Sequence, residues 1–226
     1  MSGARRLALF ARVPEAGRVK TRLIPRFGAA DAARLHLAFV ADSAARFGGE
    51  NPWELVVYSA GEGEMPGLAS GGIAVRRQCG ADLGARLLDA FASAQAEGVT
   101  AMVVLGSDSP DLPLGRIRAA FAALETSDVV IGPATDGGYY LIGARAPAPA
   151  LLTDIPWGES RVFALTAARA RAAGLATTLL EPWYDIDRPD DVEFLAAHLG
   201  ALQALSGEDR APRSRRLLAE LGLVAT

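Results

Sequence analysis

Cysteine and histidine are nearly absent: Cys79, His36 and His198 are the only such residues among 226. One cysteine excludes an internal disulfide, and the three residues together do not make a structural zinc set. Any metal is therefore expected to be a hard cation held by carboxylate and phosphate oxygens. No apolar run approaches the roughly 18 residues of a membrane helix, and the opening run at 7–10 is cut short by Arg12. The excess of one sign of charge is small too, since 26 acids and 23 bases are interspersed and the net charge is only -3. That leaves no electrostatic footprint for nucleic acid or an anionic membrane. These absences predict a cytoplasmic protein without a nucleic-acid or membrane partner. Half of the residues are apolar, enough for one sizeable core. The pattern predicts a single domain over 1–205, followed by a polar C-terminal segment, 206–226, with a short helix.

The most informative stretch is Val103-Val104-Leu105-Gly106-Ser107-Asp108-Ser109-Pro110-Asp111-Leu112-Pro113, an apolar run that stops at two carboxylates. It reads as a buried strand entering a loop, which puts Asp108 just past the strand's carboxyl end, where open α/β sheets bind ligands. Taken alone, an Asp after a strand is more often a turn or helix-cap residue than a ligand-binding one. An earlier apolar run at 7–11 predicts a first buried strand, and a loop follows in which Arg12, Arg18, Lys20 and Arg22 gather. Ammonium and forked guanidinium groups placed after a strand can surround a polyphosphate; a solvated basic loop is the plainer alternative. Gly17 is the only glycine there, so this is neither a Walker loop nor a dinucleotide-binding glycine pattern.

Leu35, Phe39 and Phe47, spaced by multiples of four, predict a helix over 29–47 with His36 in a structural or exposed position. Strands are expected at 53–59 and 72–77. Asp82 then has the character of an N-cap, with Leu83, Leu87, Phe91 and Ala94 as the buried stripe of the helix that follows. That helix start could offer free amides to a phosphate or a ribose hydroxyl. A helix at 114–124 and a strand at 128–132 lead to Asp136-Gly137-Gly138, a hairpin turn before a strand at 139–142. Trp157-Gly158-Glu159-Ser160 reads as a lid or a buried anchor, ahead of a helix at 161–173 and a strand at 176–180. A second acidic cluster, Asp185-Ile186-Asp187-Arg188-Pro189-Asp190-Asp191, precedes a helix at 192–205. Asp185 and Asp187 would point the same way in extended chain. Residues 206–216 lack an apolar stripe and are expected to be flexible.

Alternating strands and helices predict a three-layer α/β/α sandwich with a mostly parallel, mixed sheet. Five blocks, in order, then resemble a known family: Phe10 to Leu23, Gln78 with Asp82-Leu83-Gly84-Ala85-Arg86, Gly106 to Pro113, Gly132 to Tyr140, and Asp185 to Asp191. Together they resemble the DUF2064 group, bacterial proteins of glycosyltransferase type A fold often labelled rSAM/selenodomain-associated transferase 1. The resemblance runs from about residue 6 to 197. It implies a nucleotide-diphospho-sugar transferase fold whose 1–205 domain binds nucleotide at the first strand's loop, with Mg²⁺ or Mn²⁺ near the later carboxylate.

The Lys20-Thr21-Arg22-Leu23 portion is also similar to the opening of 2-phospholactate guanylyltransferases, and Asp187 to the late metal-ligating aspartate of sugar-acid cytidylyltransferases. The loop lacks the Gly-x-Gly-x-Arg pattern of typical sugar nucleotidylyltransferases, and the carboxylates read Asp-Ser-Pro-Asp rather than Asp-x-Asp. On this reading Asp108, with Asp187 or Asp111, holds the metal. Arg12, Arg18, Lys20, Arg22, Asp82, Gly84 and Asp108 bind nucleotide. Lys20 and Arg22 stabilise the leaving group, Asp136 is the general base, and Asp136, Gly137, Gly138 and Tyr140 line the sugar or acceptor pocket. The expected activity is glycosyl transfer from a nucleotide sugar to a small acceptor. The alternatives are nucleotidyl transfer from a nucleoside triphosphate, and nucleotide binding without catalysis.

Overall fold

The computed structural model describes residues 3–68 and 71–223. Its centre is β1, Ala4–Arg12, whose residues from Leu7 to Ala11 are all buried. A strand can be apolar on both faces only when both are covered, and here they are. Leu7 and Leu9 point into one layer with Val57, Leu105 and Leu141, while Ala8 and Phe10 point into the other with Val56, Val104 and Ile142. Beside β1 lie β2 (Glu54–Ala60) and β4 (Val99–Gly106), both parallel to it. With β3 (Ala74–Arg77), β5 (Val129–Pro133), β6 (Tyr139–Ala144) and β7 (Thr177–Leu179), they form one sheet in the order β3-β2-β1-β4-β6-β5-β7. Among the described residues β6 alone runs against the rest, pairing antiparallel with β4 and β5.

The helices follow from local signals. α1, Ile24–Phe47, is broken at Gly28, whose φ of 81° ends one turn and starts the long helix. Leu35, Phe39 and Phe47 are fully buried at the spacing read from sequence. Asp82 caps α2, Leu83–Ala96, by accepting a bond from the Ala85 amide at 2.8 Å. The chain is completed by α3 (Leu114–Ala123), α4 (Pro149–Leu152), α5 (Val162–Ala172), α6 (Pro189–Ser206) and α7 (Pro212–Glu220). No helix among the described residues is long and apolar enough to cross a membrane.

The C-terminal reading needs correction, because α7 already begins at Pro212. Its first turn has no capping side chain of its own, so the buried Asp42 of α1 supplies one. Asp42 accepts from the Arg213 amide at 3.1 Å, the Ser214 amide at 2.7 Å and the Ser214 hydroxyl at 2.6 Å. Leu217 and Leu218 then pack with Leu35, Phe39, Leu195 and Leu199 in a third apolar cluster. A cap contributed by a residue about 170 positions away leaves no trace in the local pattern of 206–216.

Candidate active-site cleft

The strand order reverses between β1 and β4, since the chain moves outward to β2 and β3 on one side before returning to β4 on the other. Loops leaving such a switch point diverge and leave a crevice at the carboxyl ends of the strands. A cleft of about 730 Å³ lies there, bordered by Arg12, Arg18, Lys20 and Arg22 after β1 and by Ser107 and Asp108 after β4. Gln78, Asp82, Leu83, Arg86, Trp157, Gly158 and Asp187 complete most of its wall.

Lys20 is the hub. Its backbone is left-handed, φ 46° and ψ 43°, which for a non-glycine residue is uncommon and swings the side chain inward at the start of the 3₁₀ turn Thr21–Leu23. Only 4% of the side chain is exposed. The ammonium lies 2.7 Å from Asp108 Oδ1 and 3.0 Å from Asp187 Oδ1, donates to the Ile186 carbonyl, and stands over the Phe39 ring. Burial alone would favour the neutral amine, but the charges of Asp108 and Asp187 outweigh it and hold Lys20 above its ordinary pKa. Conversely burial opposes ionisation of Asp108, and Lys20 overcomes that, keeping this carboxyl below its usual range. The two loops are also tied through backbone, with the Ile186 amide donating to the Asp108 carbonyl at 2.9 Å.

The long charged side chains diverge from this hub. Arg22 reaches Asp187 Oδ2 at 3.4 Å but is mostly exposed; Arg18 pairs with Glu15 at 3.1 Å, and Arg12 is exposed on the rim. His36 is buried beneath them. Its Nε2 stands 2.8 Å from the Arg12 carbonyl and so donates to it, which leaves Nδ1 buried without a partner. Burial keeps the imidazole neutral by lowering its pKa. Gln78 spans the ends of β1 and β2: its Nε2 donates to the Ala11 carbonyl at 3.2 Å and the Tyr58 carbonyl at 2.8 Å. Both amide hydrogens are thereby used, and the side chain retains only its acceptor oxygen.

Several sequence readings are altered. Asp111 is fully buried away from the cleft lining, accepting from the Tyr184 hydroxyl with His198 Nδ1 at 2.9 Å. It is not beside Lys20, so the second carboxylate here is Asp187. Gly84 is a packing glycine: a Cβ there would meet the Leu152 carbonyl of α4 at 2.0 Å. Tyr140 points into the core, its hydroxyl donating to the Glu181 carbonyl at 3.3 Å, and burial raises it to about 12. Its neighbour Tyr139 faces the opposite layer and meets Trp157 edge-on at 6.2 Å. Gly137 and Gly138 do form the β5–β6 turn, but Gly137 packs on Ser160, whose carbonyl would lie 1.9 Å from a Cβ. Asp136 accepts from the Gly138 amide at 2.8 Å and lies outside the main lining. Leu83 leaves the buried stripe and stands 39% exposed on the cleft wall.

Asp185 carries the signal that the sequence reading left without a role. Its Oδ1 accepts from the Ser109 hydroxyl at 2.8 Å. Burial first, then the negative charges of Asp108, Asp136 and Asp187, push its pKa up to about 7. In the unfolded chain the group titrates near 4, so folding takes up a proton between about pH 4 and 7. Its contribution is favourable below pH 4 and is lost as pH rises through 7. Asp185→Asn is therefore expected to stabilise the protein at pH 8, on the order of 2 kcal/mol, and far less at pH 5. Denaturant melts at the two pH values check this; an equal effect at both would contradict it.

The fold and the cleft define an α/β class with a crevice at the switch of a mostly parallel sheet. The chain belongs to the DUF2064 family, described as uncharacterized proteins conserved in bacteria, whose model matches residues 31–159. A Desulfovibrio desulfuricans G20 protein of solved structure, provisionally described as a nucleotide-diphospho-sugar transferase, is 32% identical. The match covers 97% of this chain and 96% of that one, with a TM-score of 0.86. A cytidylyltransferase from Leptospira borgpetersenii serovar Hardjo-bovis is 14% identical over 99% of this chain and 97% of that one, at a TM-score of 0.57. CMP:2-keto-3-deoxy-manno-octonic acid synthetase, solved with CTP, is 12% identical over 86% and 98%, at a TM-score of 0.53. The last two share the fold. No match is found among curated proteins.

Proposed function

We propose that this protein is a nucleotide-dependent transferase that moves a sugar from a nucleotide diphosphate donor to a small acceptor. The observation that carries the reading is the convergence of Asp108 and Asp187 on one buried cation, Lys20, beneath a rim of Arg12, Arg18, Arg22 and Arg86. The carboxylates sit at the switch point, while the guanidinium groups above them suit phosphate oxygens. The Desulfovibrio desulfuricans relative, described as acting on nucleotide-diphospho-sugars, supports the same class. The described residues that line the cleft all fall within 1–205, and helix α7, Pro212–Glu220, packs against α1 through Asp42.

The residue pair also fits a hard divalent cation, because Asp108 and Asp187 present carboxylate oxygens to one point. Among the described residues no group of three or more His, Cys, Asp or Glu is set to hold an ion, so ligand phosphates would complete the shell. When bound, Mg²⁺ or Mn²⁺ would stabilise charge on a departing diphosphate. Arg22, exposed and adjacent to Asp187, would share that charge, and Arg12 and Arg18 would hold the outer phosphates. At the other end of the cleft, Gln78 offers a fixed acceptor and Leu83 an exposed apolar surface, together suited to a nucleobase. Asp136, on the turn held against Ser160, is the proposed general base toward the acceptor.

A second reading, nucleotidyl transfer, draws on the same three arginines, which could hold a triphosphate as readily. Phosphorus NMR of the released product separates the two. Incubating the protein with nucleotide sugars and a bacterial metabolite extract is expected to release nucleoside diphosphate. Release of pyrophosphate from a triphosphate instead would overturn sugar transfer in favour of the second reading.

A further inference from the structure

An ammonium has three donors, and that of Lys20 faces three protein acceptors: Asp108 Oδ1 at 2.7 Å, Asp187 Oδ1 at 3.0 Å and the Ile186 carbonyl. No hydrogen is left over for a phosphate. The side chain is almost wholly buried, its strained backbone aims it at this point, and the Phe39 ring closes it from behind. Lys20 thus stands between the two carboxylates best placed to hold a divalent cation. The other titratable groups around it are Arg22, which touches Asp187 alone at 3.4 Å, Asp185 beside Ser109, and His36, which burial keeps neutral on α1; Lys20 is the cation that meets both carboxylates.

We propose that Lys20 is a resident counter-ion that a divalent cation must displace from Asp108 and Asp187, so that lysine and metal compete for one carboxylate pair. This rests on reading the cleft as a nucleotide and metal site. Two like charges cannot share so small a space without strong repulsion. In the free protein the lysine therefore keeps the carboxylates neutralised and metal affinity low. A nucleotide favours the exchange from both sides, because its phosphates add ligands to the metal and give the displaced ammonium new acceptors. Metal binding and nucleotide binding are then coupled, each raising the affinity of the other by the same factor. Lys20 in this role is a positioning residue in the free state and meets phosphate only after the metal arrives.

The test is Mn²⁺ titration followed by electron paramagnetic resonance, without nucleotide, on wild type, Lys20→Met and Lys20→Arg. Lys20→Met is expected to bind Mn²⁺ on the order of tenfold or more tightly than wild type, because the competing charge is gone. Lys20→Arg, which keeps that charge, should stay near wild type. Equal or weaker Mn²⁺ binding by Lys20→Met would overturn the proposal. Should that variant fail to fold, ¹⁵N-lysine NMR of wild type decides. The thrice-bonded ammonium is expected to give a slowly exchanging signal that disappears as Mg²⁺ is raised to saturation; a signal that persists would overturn the proposal. A parallel titration with nucleoside diphosphates keeps the two readings apart. Tighter Mn²⁺ binding by Lys20→Met with no nucleotide response in any protein would support the exchange and count against the nucleotide reading.

Discussion

Asp108→Asn is expected to lose on the order of 10³-fold in turnover, with a smaller effect on the affinity for the nucleoside part of the substrate. Asparagine preserves the side-chain volume but removes the charge, and three consequences follow from the contacts already described. Lys20 loses the nearer of its two negative partners, at 2.7 Å, and keeps Asp187 and the Ile186 carbonyl. The carboxylate pair that would hold a cation becomes a single carboxylate. The charge facing a departing diphosphate is no longer fixed in place. Steady-state kinetics with saturating nucleotide sugar would measure the loss, and circular dichroism would confirm that the variant is folded. A fall in kcat below tenfold would show that Asp108 is a loop-capping residue and nothing more.

Gly137→Ala has the largest expected effect on stability, about 3 kcal/mol or more. Two penalties coincide there. The backbone φ is +93°, which alone costs an L-residue about 1 kcal/mol, and the new Cβ would lie 1.9 Å from the Ser160 carbonyl. That carbonyl belongs to backbone leading directly into α5, while Gly137 itself accepts a bond from the Phe163 amide, so neither side can yield cheaply. Gly158→Ala is the matched control. It has φ +88° but nothing within 4 Å of a Cβ, and is expected to cost only the conformational part. For a chain of this size the difference corresponds to a melting shift of several degrees. Equal losses at the two glycines would show that the Gly137–Ser160 approach contributes nothing.

What the sequence disclosed, and what it withheld, divides along the line between local and distant causes. The ends of β1 and β4, the N-cap at Asp82 and the face of α1 marked by Leu35, Phe39 and Phe47 depend on a few neighbouring residues. Pattern alone was enough to find them. Gly84 looked like part of a phosphate-binding helix start, but its reason for being glycine is α4, some seventy residues away. Tyr139 and Tyr140 illustrate a parity problem: alternation shows that two adjacent strand residues face opposite layers, without showing which layer each one meets. Asp108 and Asp111 share one short loop, and only its turn decides that the first faces Lys20 while the second is buried with Tyr184 and His198. Asp185 was seen to be in phase with Asp187. Its perturbation arises from Ser109, Asp108 and Asp136, which folding brings to it.

The central claim is that this cleft binds a nucleotide through cations above an aspartate pair. A thermal-shift panel tests it most directly, using nucleoside triphosphates, diphosphates and common nucleotide sugars, each with and without Mg²⁺, on wild type and Asp108→Ala. A ligand at about a hundredfold over its dissociation constant stabilises the native state by roughly 2.7 kcal/mol, well within detection. A Mg²⁺-dependent rise in melting temperature with a nucleotide sugar, lost in Asp108→Ala, is the predicted result. No shift with any nucleotide, in the presence or absence of Mg²⁺, would contradict it.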